Sequence, residues 1–130
     1  MNVRVRNITI DCADPYALAQ FWSALTGYGE DPEDPNAPED PEALLVGPDR
    51  QTPALLFVPV PEPKTVKNRI HLDLQPTGGT RDEMVARAQQ LGATIVGDHR
   101  KPDGTGWVTL TDPEANEFCI ERSAAERTAH

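Results

Sequence analysis

Ile8-Thr9-Ile10-Asp11, near the start of this 130-residue chain, returns in kind as Ile70-His71-Leu72-Asp73, and Leu25-Thr26-Gly27 is echoed by Gln90-Leu91-Gly92. The offsets are 62 residues between the aspartates and 65 between the glycines, so the echo carries small insertions. A repeat at this spacing implies two similar units rather than a solenoid, which needs several shorter ones. Each half then reads strand, helix, and two or three further strands.

In the first half, Val3 to Cys12 alternates: Ile8, Ile10 and Cys12 fall on one face, Asn7, Thr9 and Asp11 on the other. Asp14-Pro15 opens a helix, with Asp as cap and Pro at the first helical position. Leu18, Phe21, Trp22 and Leu25 follow as one apolar stripe, and Gly27 stops it. Glu30 to Glu42 holds four prolines, seven acids and no base, which predicts an extended, solvated loop; a lid over a pocket is the functional alternative. Ala43 to Gly47 and Pro53 to Val58 predict a hairpin around Pro48-Asp49-Arg50-Gln51. Pro59 to Pro63 is barred from a central strand and reads as a stiff connector.

In the second half, Asn68 to Gln75 predicts a strand with Ile70, Leu72 and Leu74 on one face and His71, Asp73 and Gln75 on the other. Thr80 and Glu83 form a capping box, Met84, Ala88 and Leu91 a helical stripe, and Gly92 a stop. Ala93 to Gly97 is a strand. Trp107 to Thr111 and Glu117 to Glu121 are two more, joined by an Asp112-Pro113-Glu114-Ala115-Asn116 turn with Asn placed where φ turns positive. Phe118 and Ile120 share one face of the last strand, Glu117, Cys119 and Glu121 the other.

Twelve basic and 21 acidic residues give a net charge of −9, which argues against nucleic-acid backbones and anionic membranes as partners. No run of 18 apolar residues occurs, and the charged start Met1 to Arg6 reads as a strand rather than a signal peptide. Two cysteines, Cys12 and Cys119, form neither a disulfide framework nor a zinc pattern; a cytoplasmic protein with two free thiols is the expectation.

The Asp112 to Asn116 turn before the last strand, Ile10-Asp11-Cys12-Ala13-Asp14-Pro15, Phe21-Trp22, the linker Val60 to Arg69 and Ile70-His71-Leu72-Asp73-Leu74 together resemble the vicinal-oxygen-chelate superfamily, in its glyoxalase-like subgroup. That superfamily includes glyoxalase I, bleomycin-resistance proteins and extradiol dioxygenases. Ala115 stands where its closing turn usually has Gly. The resemblance implies an α+β fold: two βαβββ modules, about 1–60 and 66–123, in a single domain, forming a cupped mixed sheet with helices on the outside. It also implies a homodimer and a small-molecule ligand in the cup.

If the apolar strand faces pack on the helices, the opposite faces offer Asn7, Thr9, Asp11, Asp73, Glu117, Cys119 and Glu121 to a ligand, with His71 as the candidate catalytic base and Trp107 as an aromatic wall. Aligned strand residues two apart lie about 7 Å from each other, so His71 and Asp73 touch only if their side chains lean together. Cys119 reads first as a small buried hydrophobe, with Glu117 and Glu121 raising its thiol pKa. Lys64, Lys67 and Arg69 are bases able to neutralise an anionic ligand.

In active glyoxalases four strand positions bind a divalent metal. The resemblance places them here at Asn7, at Leu56 to Val58, at His71 and at Cys119. Asn and an apolar position leave that set incomplete, so no bound metal is expected. Two functions remain open from the sequence: a metal-free binder of a small, partly aromatic molecule, of the bleomycin-resistance type, and a metal-dependent lyase or dioxygenase of the glyoxalase type.

Overall fold

Asp14 accepts a hydrogen bond from the Ala17 N–H (3.1 Å), Pro15 follows it, and Gly27 at φ +78° returns its N–H to the Ser23 carbonyl (2.9 Å). These caps fix helix α1 at Pro15–Thr26, the first helix in a computed structural model that describes residues 1–49 and 52–128. Arg50 and Gln51 of the expected hairpin turn lie outside the described residues. The chain forms two compact units, Met1–Lys64 and Thr65–His130.

In the first unit, strands β1 (Asn7–Cys12), β2 (Ala43–Leu45) and β3 (Ala54–Pro59) make a mixed sheet in the order β1-β3-β2. β1 runs parallel to β3 from Asn7↔Ala54 to Cys12↔Pro59, and β2 runs antiparallel to it. α1 packs on β2 and β3. Its stripe of Leu18, Phe21, Trp22 and Leu25 is buried with Ala43, Leu45, Leu55 and Phe57. Each large side chain so withdrawn contributes about 1.5–3 kcal/mol.

Three expectations for this unit need correction. The first strand starts at Asn7, not Val3: Val3 and Val5 are exposed, because the ladder with β3 begins at Asn7↔Ala54. Pro59 does end a central strand. β2 pairs only with Leu55 to Phe57, so the missing proline N–H interrupts no bond on that side. The acidic segment 30–42 is pinned rather than simply extended. The Asn36 side chain donates to the Leu44 carbonyl (2.9 Å) and accepts from the Leu44 N–H (3.1 Å), covering the outer edge of β2, and Asp40 accepts from the Ala37 N–H (2.9 Å).

The second unit runs β4 (Leu72–Leu74), α2 (Arg81–Leu91), β5 (Thr94–Asp98), β6 (Val108–Thr111), β7 (Glu117–Ile120) and a short α3 (Ala124–Thr128). Its mixed sheet has the order β4-β7-β6-β5, with β4 parallel to β7 and the rest antiparallel. The Thr80–Glu83 capping box opens α2 and Gly92, at φ +117°, closes it. The buried line of α2 is Arg81, Val85 and Ala88, rotated from the expected Met84, Ala88 and Leu91. Sequence reading sets an arginine on the wet face; here it is inside.

β4 is also shorter than expected, so Ile70 lies outside it and is exposed rather than packed under a helix. In the closing turn the positive φ falls on Ala115 (69°), not on Asn116. Asp112, buried, holds that turn by accepting from the N–H groups of Glu114 (2.9 Å) and Asn116 (3.0 Å). The architecture is α+β with mixed strand pairing, as expected, in a three-stranded and a four-stranded sheet; among the described residues two strands follow the helix in the first unit, one fewer than a βαβββ module has, and three in the second.

Candidate functional site

One row of the second sheet sets the site. Asp73 pairs with Cys119 across β4–β7, and Cys119 with Thr109 across β7–β6. Paired strand residues point to the same face, so these three side chains stand together, opposite the buried Phe118 and Leu110. They floor a cavity of about 620 Å³ whose fourteen lining residues all belong to the second unit. The Thr109 hydroxyl and the Cys119 thiol lie 3.3 Å apart. Burial pushes the Cys119 thiol pKa up, and the neighbouring Asp73 charge adds to that, against the opposite pull of Thr109. The direction matches expectation but the cause does not: Glu117 is held by Lys67 (2.7 Å) and Glu121 by Arg127 (3.3 Å).

His71 stands just before β4 and is not bound to the strand's alternation. Its Nε2 leans to 3.3 Å from Asp73 Oδ1, the direct contact that regular strand geometry would forbid. His71, Asp73 and Cys119 each offer a metal-ligating atom, and these atoms lie within 4.8 Å of one another. The set is thus larger than the sequence suggested, because Asp73 joins it.

The wall of the cavity is aromatic. Trp107 is 45% exposed and stacks on His99, with ring centroids 4.7 Å apart and planes at 28°. The His99 N–H donates to the Trp107 carbonyl (2.9 Å). A side chain at Gly97 would press on the His99 ring, so the glycine leaves that ring its place. Gly106, at φ +94°, is fixed more strictly: a Cβ there would run into the His99 carbonyl. Arg81 holds the same loop from below. Its Nη1 donates to the carbonyls of Gly104 (3.1 Å), Thr105 (3.0 Å) and Gly106 (3.0 Å), while Nε donates to Asp82 (3.0 Å).

Of the residues singled out from sequence, His71, Asp73, Trp107, Glu117, Cys119 and Glu121 line this one cavity. Asn7 lines a hollow of the first unit, while Thr9 and Asp11 are exposed on β1. Of the linker bases only Lys67 reaches the second-unit cavity. His99, Thr109, Lys101, Arg122 and Arg127 were missed. Thr109 was available from the alternation that marked Trp107. His99 was hidden by the register shift between Ile95 and Gly97, which moves the chain by a residue just before it.

With that geometry in hand, comparison with known proteins places the chain. The folds of three solved structures are similar to it. An enzyme of the glyoxalase/bleomycin resistance protein/dioxygenase family from Burkholderia phytofirmans PsJN aligns at 20% identity with a TM-score of 0.66, covering 91% of this chain and 97% of its own. The fosfomycin resistance protein FosX from Mesorhizobium loti aligns at 13% identity and a TM-score of 0.67, over 100% of both chains. A FosX mutant from Listeria monocytogenes, complexed with Mn(II) and 1S,2S-dihydroxypropylphosphonic acid, aligns at 14% identity and 0.68, again over 100% of both. At such identities the likeness shows a shared fold. No curated protein matches the chain. The model of the glyoxalase-like domain family matches residues 7–121, and the chain belongs to that family. Among the described residues no helix is long and apolar enough to cross a membrane.

Proposed function

We propose that this glyoxalase-like protein binds a small organic molecule in the second-unit cavity, against Trp107 and over the Asp73–Cys119–Thr109 row. The observation that carries the reading is the half-exposed indole of Trp107 facing the same space as His71, Asp73 and Cys119. Concave sites of about 300–1,000 Å³ that combine an aromatic wall with a few convergent polar groups are where small ligands bind. His71 is the group placed to accept or donate a proton at the ligand, oriented by Asp73. The test is a ligand titration of wild type, Trp107→Ala and His71→Ala. Losing one hydrogen bond from His71 weakens binding by about three- to tenfold while leaving the melting temperature nearly unchanged. A His71→Ala variant that binds normally, or that no longer folds, refutes the assignment.

A second reading has its own observation, the His71–Asp73–Cys119 cluster. A nitrogen, a carboxylate and a sulfur are the donor types that three-ligand zinc sites use. A bound zinc ion would supply Lewis-acid polarisation of a ligand oxygen. Here Cys119 would first have to lose a proton that burial and Asp73 hold in place. We therefore expect purified protein without stoichiometric metal. Elemental analysis finding about one metal per chain, lost in His71→Ala, would favour a metal-dependent lyase or dioxygenase instead. We also propose that two copies pair, as the family resemblance implies; light scattering should then give twice the chain mass of 14.2 kDa.

A further inference from the structure

The cavity runs against the charge of its own chain. Its fourteen residues include four of the chain's 12 lysines and arginines and three of its 21 acids, so the enrichment is in bases. A proportional share would be one or two bases and two acids. Two of the three acids are already engaged with two of the bases: Lys67 with Glu117 at 2.7 Å, and Arg127 with Glu121 at 3.3 Å. The third, Asp73, faces His71 at 3.3 Å. That leaves Lys101 and Arg122, neither of which has a carboxylate within salt-bridge distance among the described residues. In a protein of net charge −9, four bases against three acids leave this concave site one cation in surplus, which favours an anion there over the rest of the surface.

We infer that the ligand is an anion carried on a flat ring: an aromatic carboxylate or a close analogue, its ring on Trp107 and its charge toward Lys101 and Arg122. This rests on the small-molecule reading above and narrows it. A flat ring matches the exposed indole, which a non-planar apolar group would cover less completely. A carboxylate matches two cations better than a neutral amide of the same shape. Each exposed ion pair changes an equilibrium by only about two- to fivefold, so two together favour the charged form by about tenfold, and salt erodes that preference.

The probes are matched triads: benzene, naphthalene and indole rings, each as carboxylate, carboxamide and aminomethyl compound. The readout is the Trp107 indole N–H signal in nitrogen–proton NMR, assigned with Trp107→Ala. We expect carboxylates to move that signal and to bind about tenfold more tightly than the carboxamides in low salt, with the ratio falling as salt is added. In Lys101→Gln/Arg122→Gln the ratio should fall towards one while the carboxamides bind as before. Both side chains are at least partly exposed, so the double variant should fold, and spectral dispersion checks that it does. The salt series in wild type gives a second measure that needs no variant. Carboxamides binding as well as carboxylates, or a ratio untouched by the double variant, would overturn the anion assignment and leave the pocket reading standing. No shift of the Trp107 signal by any probe at millimolar concentration would overturn both.

Discussion

Arg81 is the residue whose removal tests how the pocket wall is built. It is only 5% exposed, at the first position of α2, and it spans from that helix to the loop that carries Trp107. Three carbonyls converge on one nitrogen, Nη1, which bears two N–H groups, so no more than two full bonds form at once. Hydrogen bonds from a charged group contribute about 1.5–3 kcal/mol each, which sets a ceiling of about 3–6 kcal/mol. Gly104 is exposed and the next two residues are half-buried, so the released carbonyls partly recover water. The expected loss is about 2–4 kcal/mol, a large share of the 5–15 kcal/mol typical of a domain. Arg81→Met keeps most of the buried stem and removes the donors to the loop carbonyls along with the Nε donor to Asp82, whose exposed carboxylate returns to water. For a chain of this length the melting temperature should fall by about 6–20 °C. Arg81→Lys, able to reach one carbonyl but lacking the planar fork, should fall between. Near-ultraviolet circular dichroism reports the Trp107–His99 stack and should weaken in the Met variant. A Met variant melting within about 2 °C of wild type, with an unchanged near-ultraviolet spectrum, would show that the loop stands without Arg81 and would refute this account.

Other expectations follow from single groups. Ala115→Gly should stabilise the protein by about 1 kcal/mol, since an L-residue at φ 69° is strained and Gly is not; a lower denaturation midpoint would contradict this. Arg100 pulls the Asp98 carboxyl down to about 2 through side-chain and backbone hydrogen bonds, and Asp82, Asp103 and Glu126 are lowered as well. Groups with depressed folded values stabilise above the ordinary carboxylate range, and that stability is lost as pH falls from about 4 towards 2. Arg100→Met should therefore flatten the acid limb of melting temperature against pH, and an unchanged limb would count against the cluster. Ile70→Ala, at an exposed site, should change stability by less than about 0.5 kcal/mol. Cys12 and Cys119, both buried, should label far more slowly with a thiol reagent than the unfolded chain does; rapid labelling in the native protein would show that the Cys119 row opens.

How much of this was legible beforehand depends on the range over which each residue's position is decided. Helix bounds were legible because the deciding groups are local: Asp14 and Thr80 bind N–H groups three residues on, and Gly27 and Gly92 adopt positive φ. Most of the floor of the site, Thr109 excepted, was legible for the same reason. Strand alternation is strict, so placing Phe118 and Ile120 in the core put Cys119 on the other face, with Glu117 and Glu121 beside it. Strand ends were less legible, because a strand extends only as far as its partner does. β1 starts at Asn7 where its ladder with β3 starts, and β4 starts at Leu72 where its ladder with β7 starts, which leaves Val5 and Ile70 in solvent despite their apolar side chains.

Of the wall of the site only Trp107 was legible, and the reason is physical. His99 meets Trp107 only after a register shift that depends on two strands at once, and Arg81 is buried by loop carbonyls 23 to 25 residues further along the chain. An arginine is costly to bury without partners, so its type alone places it in solvent. What reverses that, beside the Asp82 carboxylate, is three consecutive backbone carbonyls, those of Gly104, Thr105 and Gly106, the two glycines both at positive φ. Backbone acceptors are invisible to any reading based on residue type. The same loop carries both the sterically fixed Gly106 and Trp107, so the cation inside α2 and the indole facing the cavity are two ends of one structural unit. Changing Arg81 should therefore disturb ligand binding through the position of Trp107, even though Arg81 itself does not line the cavity.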